Sequence, residues 1–222
     1  METLFLNRAD AGRQLAAELA DLKGRKDALI LALPRGGVPV AHELAVALSL
    51  PMDIFIVRKL GVPGYEELAM GAIALGDVRV LNEDVIEVMG IPESALDAVT
   101  ALEKAELLRR NLLYRDDRPA PDVKGKTVIV VDDGLATGAT MQAAVSALRR
   151  EGAKTIIVAV PVGAEETCRK LRHEADHVAC LRTPEPFYGV GAWYADFAQT
   201  EDEEVLTLLH DIQGTNGMQN GL

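Results

Sequence analysis

Hydrophobic and polar positions alternate along the chain in two rhythms. Short β-rich apolar runs at Ala28–Leu33, Asp53–Val57, Thr127–Val131, Thr155–Val160 and Asp176–Leu181 predict strands. Between them, segments of helical period at Arg8–Asp21, Val38–Leu48, Ala139–Arg150 and Ala164–Glu174 predict helices. This alternation is the pattern of an α/β fold, a three-layer parallel sheet flanked by helices. The run Val128-Ile129-Val130-Val131 is continuously β-branched, as a strand buried on both faces should be. Glycine or proline at each strand-to-helix turn is consistent with tight connections.

Two regions break the rhythm. Residues 61–92 carry Gly61, Pro63 and Pro92 around the short apolar stretches Ala69–Leu75 and Val78–Leu81, which predicts a mobile loop followed by a small hairpin. A long amphipathic helix is then expected over Ser94–Tyr114. Its apolar stripe is Ala98, Ala101, Leu102, Ala105, Leu108 and Leu112, with Glu106 and Arg110 paired on the other side. Asp116–Pro121 reads as an extended link, and Gly214–Leu222 as a disordered tail. The expected organisation is one domain over residues 1–213. Its core covers about 8–60 and 123–182, with the flexible loop and hairpin at 61–92, a helical insertion at 94–114 and a C-terminal hood at 183–213.

Composition narrows the class. The chain has 222 residues, enough for a substantial core, and 23 Lys and Arg against 34 Asp and Glu, a net charge of −11. That balance disfavours nucleic acid and anionic membranes, although a small basic pocket for an anionic metabolite is compatible with it. Two cysteines, Cys168 and Cys180, cannot build a disulfide framework and fit a reducing cytoplasm. No apolar run approaches a membrane span, and charge enters the N-terminal stretch too early for a secretory signal.

The chemistry concentrates after the β-branched run, in Asp132-Asp133-Gly134-Leu135-Ala136-Thr137-Gly138-Ala139-Thr140. Ligands of open α/β sheets bind beyond the C-terminal strand ends, and two carboxylates stand there. Helix capping by these acids is the plainer alternative, but paired acids closing an apolar strand are costly unless liganded. Gly134, Ala136, Gly138 and Ala139 let backbone N–H groups approach an anion, the next helix start favours negative charge, and Thr137 and Thr140 add hydroxyls. Acids that repel phosphate beside a loop that welcomes it suit a ribose 5-phosphate. Its phosphate would sit in the loop, and its ring hydroxyls would donate to Asp132 and Asp133. No Lys follows the second glycine, so this is not a Walker loop.

The stretch Val130–Thr140 resembles the ribosyl-phosphate signature of type I phosphoribosyltransferases, Rossmann-like proteins that bind 5-phosphoribosyl-1-diphosphate (PRPP). Leu33-Pro34-Arg35-Gly36-Gly37 is similar to the family's pyrophosphate loop, in which the Arg–Gly peptide is often strained and sometimes cis. Val57-Arg58-Lys59-Leu60-Gly61 is similar to the Arg–Lys pair that contacts the diphosphate in adenine-type members. The stretch from Gly61 stands where the family has a closing loop. Together these segments and Glu185-Pro186-Phe187-Tyr188 resemble a bacterial group of phosphoribosyltransferases whose acceptor is open. Ala136 stands where hypoxanthine-guanine-type members carry an Asp, and resembles adenine-type loops.

The resemblance implies transfer of 5-phosphoribosyl from PRPP to a nitrogen acceptor, a nucleobase or related heterocycle, with release of pyrophosphate. PRPP would be held by Arg35, Gly36, Arg58, Lys59, Asp132, Asp133, Gly134, Ala136, Thr137, Gly138, Ala139 and Thr140, with Arg35, Arg58, Lys59 and Asp133 the catalytic candidates. As cationic groups following apolar strands, Arg35, Arg58 and Lys59 are expected at one sheet edge. Mg²⁺ would arrive on PRPP and meet Asp132 and Asp133 through water. Five of the nine aromatic residues lie at Phe187, Tyr188, Trp193, Tyr194 and Phe197, where they could stack a planar acceptor or pack the hood. A homodimer is expected, with the Ser94–Tyr114 helix as cap or dimer face. A PRPP or nucleotide sensor without turnover is the alternative of another class, and a hydrolytic enzyme a third.

Overall fold

The computed structural model describes residues 4–76, 78–116 and 119–219. Strands β1 (Ala28–Ala32), β2 (Met52–Ile54), β6 (Thr127–Val131), β7 (Thr155–Val162) and β8 (His177–Arg182) form a parallel sheet in the order β2-β1-β6-β7-β8. Register is continuous across its centre, with Ile30 opposite Ile129 and Ile129 opposite Ile157. Alternate residues of each strand feed two cores. Ile30, Ile129 and Ala159 meet helices α1 (Arg8–Glu18) and α2 (Gly37–Leu48) in one core. Leu31, Val130 and Val158 meet α5 (Ala139–Arg150) and α6 (Glu165–Leu171) in the other. This is the expected three-layer arrangement, because a strand apolar at every position must be covered on both sides. Gly12 lets α1 cross α2 closely: a Cβ there would stand 2.6 Å from the Val40 carbonyl.

The second predicted strand is divided. Only Met52–Ile54 joins the parallel sheet. Residues 57–62 form β3, which pairs antiparallel with β4 (Tyr65–Ala74), and β4 pairs with β5 (Val78–Leu81). The hairpin of 69–75 and 78–81 is present, but a strand and a tight Pro63-Gly64 turn replace the mobile loop expected from Gly61. Gly61 marks a bulge: the register shifts on both sides of it, and a Cβ would lie 2.6 Å from the Glu66 carbonyl. Helix α3 (Glu83–Met89) follows, capped by the Asn82 side chain and ended by Gly90 in the left-handed region.

Helix α4 (Glu93–Arg115) has the expected extent and the Glu106–Arg110 pair, at 2.7 Å. The predicted stripe, however, is turned outward. The packed side is built on Leu96, Leu107 and Tyr114, whereas Leu102, Leu108 and Leu112 are 70%, 50% and 61% exposed. Both sides carry leucine, so periodicity alone chose the wrong one. Within the expected link, residues 117 and 118 lie outside the described residues. Helix α7 (Asp202–Gln219) packs Val205, Leu209 and Ile212 into the core beneath α2. The second half of the expected hood therefore braces the fold. Helical backbone continues to Gln219 where a disordered tail was expected, and residues 220–222 lie outside the described residues. Cys168 is buried and Cys180 half-buried, and both are free thiols.

Candidate active site

The C-terminal ends of β1 and β6 open side by side into a cleft of 460 Å³, a volume in the range of small-molecule sites. It is lined by Arg35 and Gly36 after β1, by Asp132, Asp133 and Thr140 around β6, and by Arg8, Phe197 and Thr200 from the two ends of the chain. The loop after β1 contains a cis peptide between Pro34 and Arg35, one bond before the Arg35–Gly36 peptide singled out by resemblance. Two glycines allow the loops to meet. A Cβ at Gly37 would stand 2.5 Å from the Val131 carbonyl, and one at Gly36 would overlap the Asp133 carboxylate.

Asp132 and Asp133 face this junction. Asp132 accepts from the backbone N–H of Asp133 at 2.9 Å. Burial pushes the Asp132 carboxyl well above the ordinary range, and the neighbouring Asp133 charge adds to that push. Burial also raises Asp133, while the charge and hydrogen bond of Arg8 oppose the rise. Arg8 Nε and Nη2 both reach Oδ2 of Asp133 at 2.8 Å. The guanidinium also donates to the Ala198 carbonyl and lies 4.0 Å from the centre of the Phe197 ring. Tyr194 fixes Asp133 from the backbone side, its hydroxyl donating to the Asp133 carbonyl at 2.6 Å. Arg8 has no place in the sequence motifs. Its position at the start of α1, 125 residues from Asp133, could not be read locally.

The segment after the acids is a cradle. Leu135 is pinned to β7 through the Val162 carbonyl, Thr167 donates to the Ala136 carbonyl, and Gly138 adopts φ 75° to start α5. Among the described residues, none of the backbone N–H groups of Ala136, Thr137, Gly138, Ala139 and Thr140 donates to another protein group. Ala136, Thr137 and Thr140 are exposed. Five neighbouring donors at a helix start, next to Gly134 and two carboxylates, make an anion seat beside a hydroxyl-accepting wall.

The cationic residues divide. Arg35 lines the cleft and is held by Glu201 and Asp202 at 3.6 and 3.7 Å. Asp202 in turn accepts from the Tyr114 hydroxyl of α4. Arg58 does not join them: β3 has left the parallel sheet, and Arg58 Nε donates to Glu103 of α4 at 2.6 Å. Lys59 occupies the opposite face of β3, opposite Ala72, which lines a second cavity with Ala139 of α5. The expected gathering of Arg35, Arg58 and Lys59 at one edge is thus met by Arg35 alone.

The aromatic cluster also sorts itself. Phe187, Trp193 and Tyr194 pack around Phe5, which bonds through its backbone to Trp193, and Tyr188 is 81% exposed. None of these four lines the cleft. The ring that does is Phe197, beside Gln199 and Thr200.

Comparison with known proteins identifies the family and the fold. Residues 4–192 match the phosphoribosyl transferase domain family. A Mycobacterium tuberculosis protein assigned by name to the phosphoribosyl transferases is 47% identical over 206 residues. The match covers 93% of this chain but 46% of that protein, so the chain spans about half the length of this relative. A "Bifunctional protein PyrR" of Roseiflexus is 30% identical, covering 79% of this chain and 82% of that one. The crystal structure of a Thermus thermophilus protein is 40% identical with a TM-score of 0.86, covering 94% and 99% of the two chains. With the acids, the cradle and the Pro34–Arg35 loop assembled on a shared parallel sheet, the chain belongs to the phosphoribosyltransferase family.

Proposed function

We propose that the protein transfers the 5-phosphoribosyl group of PRPP to a ring nitrogen of a planar heterocycle, a nucleobase or a close analogue, in the cytoplasm. The observation that carries this reading is the row of five undonated N–H groups at Ala136–Thr140 next to Asp132 and Asp133. The row suits a terminal phosphate, and the carboxylates suit the ribose hydroxyls. Arg35 and the Leu33–Gly37 loop face the remaining side, where the diphosphate departs. Phe197 offers the acceptor an aromatic surface, with Gln199 and Thr200 as polar neighbours.

Mg²⁺ fits this site as a companion of the diphosphate. Two adjacent carboxylates are too few for an all-protein magnesium cage, but they suffice to meet a hydrated ion through water. Asp132 and Asp133 would hold it, and bound there it would neutralise leaving-group charge.

The protein's own part is positional and electrostatic. The cradle anchors the sugar by its phosphate, and Asp132 and Asp133 fix the ring. Arg35 receives the oxygens on which charge grows as the C1–O bond to diphosphate breaks. The electron pair leaves with pyrophosphate, the acceptor nitrogen forms the new bond from the opposite face of C1, and its proton is lost to solvent. Ala136 has no proton to exchange, which favours an acceptor that needs no side-chain base at that position.

A sensor without turnover is favoured by one observation: Arg35 and Arg58 are both engaged by carboxylates. The two readings separate in one assay. With PRPP, Mg²⁺ and a panel of adenine, guanine, hypoxanthine, xanthine, uracil and orotate, an enzyme releases pyrophosphate with one class of acceptor. A sensor binds PRPP and releases none.

A further inference from the structure

Cys168 and Cys180 are nucleophilic side chains that the proposed reaction leaves unused, and the fold brings them together. Cys168 lies in α6 and is buried, whereas Cys180 lies in β8 and is half-buried. The two thiols are hydrogen-bonded to each other and pack in the same core. Gly163, just after β7, makes room for the contact. A Cβ there would stand 2.8 Å from Cys168 Sγ, 3.4 Å from Cys180 Sγ and 3.1 Å from Leu135 Cβ. Both sulfurs therefore converge on the point where the cradle loop begins. The backbone ties that point down on two sides. The Gly163 N–H donates to the Arg182 carbonyl at 3.0 Å, and the Ala164 N–H to the Leu135 carbonyl at 2.9 Å. Thr167, the neighbour of Cys168, donates to the Ala136 carbonyl at 2.7 Å, and its methyl group occupies the space beside Gly138.

We propose that Cys168 and Cys180 are a modification site, converted reversibly to a disulfide by hydrogen peroxide, and that the new bond displaces the clamp on the cradle. The mutual hydrogen bond lowers the Cys168 thiol from its ordinary range and raises Cys180, so one proton is shared between two sulfurs. Transfer of that proton along the bond places the charge on Cys180, the sulfur a small oxidant can reach. Cys180 then takes one oxygen as the O–O bond breaks, giving a sulfenic acid, and the other oxygen leaves as water. Cys168 attacks the same sulfur: the S–S bond forms, the S–O bond breaks, and the departing hydroxide takes the Cys168 proton as a second water. The dithiol loses two electrons and the peroxide gains them. A dithiol reductant reverses the change by exchange. Covalent closure draws Cys168 towards β8, and Thr167 moves with it because the two are adjacent in α6. The Thr167 hydroxyl and methyl group are the contacts that hold Ala136 and Gly138, so the seat is distorted.

Thiol titration and intact mass of the full chain, treated with one equivalent of hydrogen peroxide, test the chemistry. The chain should lose both thiols and two hydrogen masses, and dithiothreitol should restore them. Thiols that survive the treatment overturn the proposal, as does peptide mapping that finds oxygen on either sulfur and no bond between them. Amide nuclear magnetic resonance of the ligand-free protein tests the coupling. Oxidation should shift the amides of Ala136–Thr140, and reduction should return them. Cys180→Ser should abolish the peroxide-dependent shift, and Cys168→Ala gives a second route to the same loss. A disulfide that leaves those amides in place overturns the displacement. One further arm rests on the ribosyl-phosphate reading: ribose 5-phosphate should bind the oxidised form about tenfold more weakly than the reduced form. Equal affinity in the two forms overturns the displacement, whereas binding to neither form removes that reading and leaves the amide shifts to decide this one.

Discussion

Arg8 and Asp133 stand 125 residues apart and meet at 2.8 Å, with the first turn of α1 supplying the guanidinium and the end of β6 the carboxylate. The pair is 12% and 15% exposed, well shielded from solvent, and it also ties the Phe197–Ala198 segment to the acids. Removing the guanidinium leaves a half-desolvated carboxylate. Arg8→Ala should lower stability by about 2–3 kcal/mol, read as a fall in melting temperature, and raise the KM for PRPP about tenfold or more. Arg8→Lys should recover part of the stability and less of the affinity, because an ammonium cannot reproduce the two-nitrogen contact.

The raised carboxyl of Asp132 makes two pH predictions. Between the ordinary carboxylate pKa of about 4 and the raised value in the fold, the folded protein holds a proton that the unfolded chain has lost. The contribution of Asp132 to stability therefore falls as pH rises through that window, and Asp132→Asn should flatten that part of the curve. Binding of Mg²⁺ with PRPP favours the charged form, so titration calorimetry in buffers of different ionisation enthalpy should register proton release, and affinity should improve as pH rises.

Arg35 is shared between the cleft and the α7 start. Its partners Glu201 and Asp202 are 61% and 41% exposed, so each contact is worth no more than about 1 kcal/mol. Glu201→Gln with Asp202→Asn should therefore tighten pyrophosphate binding by no more than about thirtyfold, measured by competition with PRPP. Loss of binding would mean that the acids position Arg35 and do not compete for it.

Gly36 faces the Asp133 carboxylate with no room for a methyl group. Gly36→Ala should displace that carboxylate and cost about 100-fold in PRPP affinity, while the secondary structure by circular dichroism stays native. Gly138→Ala should behave similarly, because the position has φ 75° and Thr167 fills the space a side chain would take.

What the sequence disclosed follows the range of the interactions. The parallel strands other than the second, their helices and the Asp132–Thr140 stretch are local patterns, and each is found where periodicity and turn chemistry place it. Asp132–Thr140 needs only its own backbone to form. Arg58 failed for a non-local reason: the chain leaves the sheet after Ile54, and Gly61, a loop signal in sequence, serves as a bulge. Asn82 and Gly90 did mark α3, and could have been recognised as its caps. The stripe of α4 was ambiguous because two apolar faces share one helix. Phe197 was named with the C-terminal aromatics but could not be told from the rings that pack around Phe5, and Arg8 was invisible because only the closed fold brings the start of α1 over Asp133.

The central claim, that Ala136–Thr140 seats the phosphate of a ribosyl phosphate, is tested most directly by amide nuclear magnetic resonance with ribose 5-phosphate, which lacks both diphosphate and acceptor. The five amides from Ala136 to Thr140 should shift together on titration, and Asp132→Asn with Asp133→Asn should weaken the response without moving its location. Saturating ribose 5-phosphate that leaves those five signals in place would contradict the claim.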